Sequence, residues 1–245
     1  MQNIFKGANY LLQGFKLMNK PGIRRFAYLP MAINTLLFSI AIWFGFSQFD
    51  QWLDSLIPSW LPDWLTSVFM WLIWPIFIAL ISIIVFFSFS IIANFLAAPF
   101  NGPLAEAVER KLTGQSPEEI AWQQIIKDTP AVLWNEIIKF RYFLLLIIPL
   151  FIFSWIPVVN IAAPALWFIF SGWMLSLEYH DYPMGNHQLL FAEQRRQLKG
   201  QRALTLGFGI ATLLVTMIPF VNFIVIPAAV SGATALYLDT LGKNA

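Results

Sequence analysis

Four long stretches of the sequence contain no charged side chain: residues 26–49, 64–105, 142–177 and 203–238. No other feature limits the fold so severely. About 20 apolar residues in a helix cross the roughly 30 Å hydrocarbon layer of a bilayer. Only structures that pair their own backbone groups are tolerated there. Composition agrees: 58% of the 245 residues are hydrophobic and 11% are charged, against roughly a quarter charged in soluble domains. The chain reads as an all-α integral membrane protein, a single membrane domain over residues 1–245.

The four stretches are of unequal kinds. Residues 26–49 fit one spanning helix. Residues 64–97 fit a second, with Pro75 as a candidate kink. The "AAPFNGP" run is expected to stop that helix, because two prolines and a glycine oppose its continuation. The last two stretches, 142–177 and 203–238, are each 36 residues long with a breaker cluster near the middle. The clusters read "IPVVNIAAP" and "IPFVNFIVIP", so Pro157 and Asn160 match Pro219 and Asn222 in spacing, and Pro164 and Pro227 follow. The arms on either side hold roughly 11–16 residues, or about 16–24 Å. That is short of a full crossing and favours two re-entrant, hemi-penetrating helical hairpins. Four slightly short spanning helices with turns outside the bilayer are the alternative. Turn backbone at membrane depth must be buried in protein or meet water, and Asn160 and Asn222 are placed to satisfy part of it.

Charge sidedness supports one topology. Residues 1–25 carry five Lys or Arg and no acid, residues 106–141 five, residues 178–202 four and the tail one. Residues 50–63 carry none, but include Asp50, Asp54 and Asp63. The positive-inside rule then puts both termini and the central segment in the cytoplasm, for hairpins of either kind. Trp52, Trp60 and Trp64 suit the opposite interface. Residues 3–19 place Ile4, Phe5, Ala8, Leu11, Leu12, Phe15 and Met18 at helical spacing, flanked by Lys6, Lys16 and Lys20. This predicts an amphipathic helix on the membrane surface. No apolar core leading to a cleavage site marks these residues as a secretory signal. Residues 101–141 read as cytoplasmic helices. One ends at Gly114, and another opens at Ser116 with Pro117 at its first position and Glu119 completing a capping box.

The candidate chemistry is sparse. Without cysteine there are no disulfides, thiols or Cys-ligated metals. A net charge of +2 gives no nucleic-acid signal. No phosphate loop, nucleophile elbow or zinc-helix motif is visible, so neither enzyme nor cofactor is expected. His180, Asp181 and His187 carry only a weak metal signal, with Pro183 and Gly185 between the histidines. Glu178, Tyr179 and Asp181 instead read as bracing a turn at the membrane edge. The sharper candidate is "PGIRRF". Pro21 and Gly22 break the surface helix just before a spanning helix starts. First-turn amides, the positive end of the helix and the forks of Arg24 and Arg25 together suit an anion. At an effective dielectric of about 20, a charge pair at 4 Å is worth about 4 kcal/mol, and a dianion about doubles that before desolvation. Arginine pairs at cytoplasmic helix ends also serve simply as topological anchors. In "NGPLAEAVERK", Glu106 and Arg110 stand one turn apart. With Glu109 they form either a solvated helix face or the polar lining of a water-filled path.

"PGIRRF" with "LPMAIN", "AAPFNGPLAEAVE" and "LEYHDYPMGNH" together resemble the CysZ family of bacterial sulfate transporters, and the resemblance runs along nearly the whole chain. It implies an inner-membrane protein that admits sulfate for cysteine biosynthesis. The implied fold has two spanning helices and two hemi-penetrating hairpins. The family's sulfate site, at a Gly-Leu-Arg motif, maps onto Gly22, Ile23 and Arg24, with Arg25 following and isoleucine in place of leucine. Homo-oligomerisation and a central polar network, carried here onto Glu106, Glu109 and Arg110, are further implications. A membrane scaffold or regulator that binds an anion without transporting it is the competing reading.

Overall fold

A computed structural model describes residues 2–56, 62–115, 122–218 and 221–242. It is helical throughout, with no strand among the described residues. In chain order come α1 (Gln2–Leu17), α2 (Arg24–Leu56), α3 (Asp63–Thr113), α4 (Trp122–Ser154), a 3₁₀ turn (Val159–Ala162), α5 (Ala163–Asn186), α6 (Phe191–Gly200), α7 (Arg202–Thr216) and α8 (Asn222–Leu236). A π-helical turn, Tyr237–Leu241, extends α8. The capping box expected at Ser116, Pro117 and Glu119 lies outside the described residues.

The chain forms two compact units, residues 28–99 and residues 1–27 with 100–245. The first consists of most of α2 and the first part of α3. There Phe46 stacks on Trp74 at 6.2 Å and meets the edge of Phe77 at 5.8 Å. Along α2, large apolar side chains such as Leu36, Ile40 and Trp43 are exposed, the pattern of a helix solvated by lipid rather than by its own core.

The second unit is built on close backbone approach. Helix α1 lies against both α7 and α8, and α5 packs on α7. A Cβ added to Gly7 would strike the backbone of Leu204 and come within 2.7 Å of the Phe208 amide nitrogen. One on Gly14 would strike the Ala228 carbonyl and reach 2.7 Å from the Gly232 nitrogen. Gly207 meets Ile4, Gly232 meets Tyr10, and Gly209 meets Gly172 in the same manner. Small residues let helices approach closely where the apolar effect gives no drive between them.

Three expectations need correction. Helix α3 does not stop at Ala97 but continues through Pro99, Gly102 and Pro103 to Thr113. Each proline removes one amide donor. Burial of Asn101, Leu104, Ala105 and Val108 in the core nevertheless holds the segment helical. The helix ends at Gly114, which has a φ of +78° and whose N–H donates a hydrogen bond to the Arg110 carbonyl at 3.0 Å. Second, α4 passes through residues 141 and 142 without a break. Its apolar part, Trp134–Ser154, has 21 residues, and the segment Val159–Asn186 has 28. The arms of the first hairpin are therefore longer than the charge-free cut implied, because the helices carry Lys139, Arg141, Glu178 and Asp181 within them. Third, α1 does not use its apolar stripe as one face. Leu11 and Met18 are buried, Phe5 and Leu12 are exposed, and Gly7, Tyr10, Gly14 and Leu17 complete the buried side. Four helical segments are long and apolar enough to cross a membrane: Arg24–Gln48, Trp134–Ser154, Val159–Asn186 and Ile224–Leu241.

Candidate anion site and polar cluster

The turn between α1 and α2 is tightly self-bonded. The Lys20 carbonyl accepts the amides of both Ile23 and Arg24 at 3.1 Å, and the Phe26 amide donates to the Ile23 carbonyl at 3.0 Å. Gly22 makes the reversal with φ +91°, a conformation that side chains resist, and a Cβ there would meet nothing within 4 Å. Glycine is needed at this position for its backbone freedom rather than for space. Ile23 is 1% exposed. Its side chain therefore anchors the turn to the core and has no access to a ligand, while its amide is already engaged. Arg24 and Arg25 are both exposed, and neither makes an ion pair among the described residues. The Arg25 guanidinium lies 4.6 Å from the Phe26 ring centroid, an arrangement that orients the fork without neutralising it.

Two sequence motifs 80 or so residues apart meet in the second unit. Asn186 donates to the Gly102 carbonyl at 3.0 Å, and His187 Nε2 lies 3.0 and 3.1 Å from the two carboxylate oxygens of Glu109. Tyr237 packs on the His187 ring with 5.4 Å between centroids. Nearby, Tyr10 donates to Asp239 Oδ2 at 3.2 Å. Burial, reinforced by the Asp239 carboxylate, pushes the Tyr10 phenol up to about 12, so it stays a donor at neutral pH.

The residues expected to form one polar network point two ways. Glu106 and Arg110 pair with each other on the exposed side of α3. Glu109, one position round the helix from that pair, is buried and turns to His187. His180, Asp181 and His187 do not converge. His180 packs against Phe208 in the core, and Asp181 Oδ2 accepts from Lys139 at 2.6 Å. Among the described residues no three His, Asp or Glu gather as a metal site would need. Sequence reasoning missed Lys139, Asn135 and Gln194. Lys139 bridges Glu136 and Asp181, Asn135 accepts the Phe191 amide at 2.9 Å, and Gln194 donates to Asp181 at 2.7 Å. The Lys139–Glu136 pair is three residues apart on one helix, but the Lys139–Asp181, Asn135–Phe191 and Gln194–Asp181 contacts join different helices and leave no local pattern.

A cavity of about 260 Å³ opens beside Lys139, lined also by Glu136, Glu178, Asp181 and Gln194. Three carboxyl groups face one ammonium there, so a dianion is repelled from it. The exposed arginines of the α1–α2 turn are the better anion site of the two.

Residues 10–227 match the family described as sulfate transporter CysZ/etoposide-induced protein 2.4. The matched span includes the Gly22–Arg25 turn, the Glu106–Arg110 segment and His187. The family so described is one of transporters rather than enzymes, and the apolar helices make the chain a membrane protein. The protein belongs to the sulfate transporter CysZ/etoposide-induced protein 2.4 family.

Proposed function

We propose that this protein admits sulfate across the bacterial inner membrane for cysteine biosynthesis, and that Arg24 and Arg25 receive the anion. One observation carries the assignment of the site: in a chain of this family, two adjacent exposed guanidinium groups follow a glycine turn at the head of a spanning helix, unpaired among the described residues. Because the amides of Ile23 and Arg24 are given to Lys20, the guanidinium forks, rather than those amides, hold the anion. An open pair of arginines binds a dianion without caging it, which permits release. Glu106, Glu109 and Arg110 lie along the pathway in this reading. Both termini are cytoplasmic by the positive-inside rule, and the protein works as a homo-oligomer.

The hairpins are re-entrant in this proposal, and the tip of the first supports it. Trp155, Ile156, Val158 and Ile161 are all exposed there, unlike the polar residues of a loop in water. The tip also pairs its own backbone: the amides of Trp155 and Ile156 donate to carbonyls in the last turn of α4, Ile152 and Phe153, and those of Val159, Asn160 and Ile161 donate to carbonyls within the turn. Val158, with φ 71° and ψ −49°, centres a γ-turn closed by the Val159 amide and the Pro157 carbonyl at 2.8 Å. Self-pairing of this kind is what a hydrocarbon environment demands.

Equilibrium binding of labelled sulfate to the purified protein tests the site. Binding that is lost in the Arg24→Ala, Arg25→Ala double variant is expected. Undiminished binding by that variant moves the site elsewhere. The topology is tested by single cysteines at Asn160 and Asn222 in this cysteine-free chain. Both are expected to resist impermeant thiol reagents from the periplasmic side, and ready labelling from outside contradicts re-entry.

A further inference from the structure

The basic helix α6 carries a cation that the sulfate reading does not use. On α6 the Glu193 carboxylate is taken by Arg196 at 2.9 Å and by Gln197 at 3.1 Å. The neighbouring acids Glu136 and Asp181 are taken by Lys139. Arg195 is left without a carboxylate among the described residues. Its guanidinium instead lies over the ring of Tyr142, 4.9 Å from the centroid, and 6.0 Å from that of Phe191. Stacking on an aromatic face holds the planar group but leaves its N–H edges free to donate outward.

Tyr142 supplies a second donor. Its hydroxyl oxygen already accepts from Trp173 Nε1 at 3.0 Å, so the phenolic proton is free for an acceptor, and none is found among the described residues. Tyr142 directly follows Arg141, the last charge on α4 before the charge-free stretch 142–177, and tyrosine and tryptophan are at home where headgroups give way to hydrocarbon. Below it on α4, Leu145 and Ile148 are exposed. A cation and a hydroxyl thus stand one to two helical turns from exposed apolar side chains of α4.

The geometry points to a binding site for an anionic phospholipid between α4 and α6, with its phosphate on Arg195 and the Tyr142 hydroxyl and its acyl chains along α4. The apolar face selects lipid over a free oxyanion, since a soluble phosphate or sulfate gains nothing from Leu145 and Ile148. Bound there, the lipid ties α6, the link between the two hairpins, to the membrane surface.

The test is lipid retention, read by native mass spectrometry and by thermal stability in detergent with added phosphatidylglycerol or phosphatidylcholine. Wild type is expected to retain phosphatidylglycerol preferentially and to be stabilised by it. Arg195→Gln is expected to weaken retention about tenfold, equivalent to about 1.4 kcal/mol. Tyr142→Phe, which keeps the stacking shelf, is expected to weaken it roughly threefold. Arg196→Gln removes an exposed charge already paired to Glu193 and is expected to leave retention unchanged. If Arg195→Gln fails to fold, the Tyr142→Phe and Arg196→Gln comparison decides alone. Equal retention of both lipids by wild type, or equal loss in all variants, overturns the proposal. So does displacement of the lipid by millimolar inorganic phosphate, which marks a general oxyanion site.

Discussion

The two hairpins begin as near copies in the sequence and end as different objects. Both are 36-residue charge-free stretches with a Pro-x-x-Asn breaker at the centre. In the first, Leu145, Ile148, Phe151 and Ile152 of α4 are exposed, whereas in the second Val225, Ala228, Ala229, Val230, Ala233 and Leu236 of α8 are fully buried. The difference is side-chain size. Helix α4 presents Leu, Ile and Phe, which hold neighbours away and suit lipid. Helices α7 and α8 present Gly207, Gly209, Ala228, Ala229, Gly232 and Ala233, which admit α1 and α5 to backbone contact. Apolar character alone does not decide which hairpin becomes the core. Small residues at helical spacing do.

The sharpest way to break this comparison is to give the second hairpin's clasp a side chain. Gly14→Leu places carbon where the Ala228 carbonyl and the Gly232 nitrogen already stand. A loss of roughly 3 kcal/mol or more is expected, seen as a large fall in the detergent melting temperature or as failure to fold. Gly45→Leu is the control, because a Cβ there meets nothing within 4 Å. A smaller effect comes from the same truncation in each hairpin. Leu236 is 0% exposed and Leu145 is 64% exposed. Leu236→Ala is expected to lose about 2–5 kcal/mol and Leu145→Ala less than about 0.5 kcal/mol. Equal losses in the two melting curves would remove the distinction between core and lipid-facing hairpin.

Next in size is the join between α3 and the end of α5. His187→Ala leaves the buried Glu109 carboxylate without its imidazole, and a loss of about 1–3 kcal/mol is expected. His187→Gln, which keeps a donor, should recover part of it in the same melting assay. The smallest change concerns the first hairpin's tip. Val158 holds a positive φ that a β-branched residue resists. Val158→Gly is therefore expected to stabilise by about 1 kcal/mol. A destabilised Val158→Gly protein would show that the valine side chain, not the turn, matters at that tip.

Much of the fold was legible because charge-free runs and breaker clusters are local signals. The first long apolar helix, the helix end at Gly114 and the turn at Gly22 follow from residues adjacent in sequence. Helix α3 was misread at Pro99 and Pro103 because its continuation depends on Leu104 and Val108 entering a core made of distant helices. The role of α1 was half legible. Its apolar stripe predicts a helix, yet the face that buries is marked by Gly7 and Gly14, which a search for large apolar residues passes over. At the candidate site, the arginine pair was readable as two charges beside a Pro-Gly. That Ile23 serves as a buried anchor, and that its amide and that of Arg24 are already paired, became visible only in three dimensions. The Glu109–His187 contact spans 78 residues and has no local trace.

The central claim is that sulfate passes through this protein by way of Arg24 and Arg25. Uptake of labelled sulfate into liposomes holding wild type, the Arg24→Ala, Arg25→Ala variant or no protein tests it most directly. The account predicts flux well above empty liposomes for wild type and a fall to that background for the double variant, with Arg196→Gln unchanged. Wild-type flux equal to that of empty liposomes, or full flux through the double variant, contradicts it.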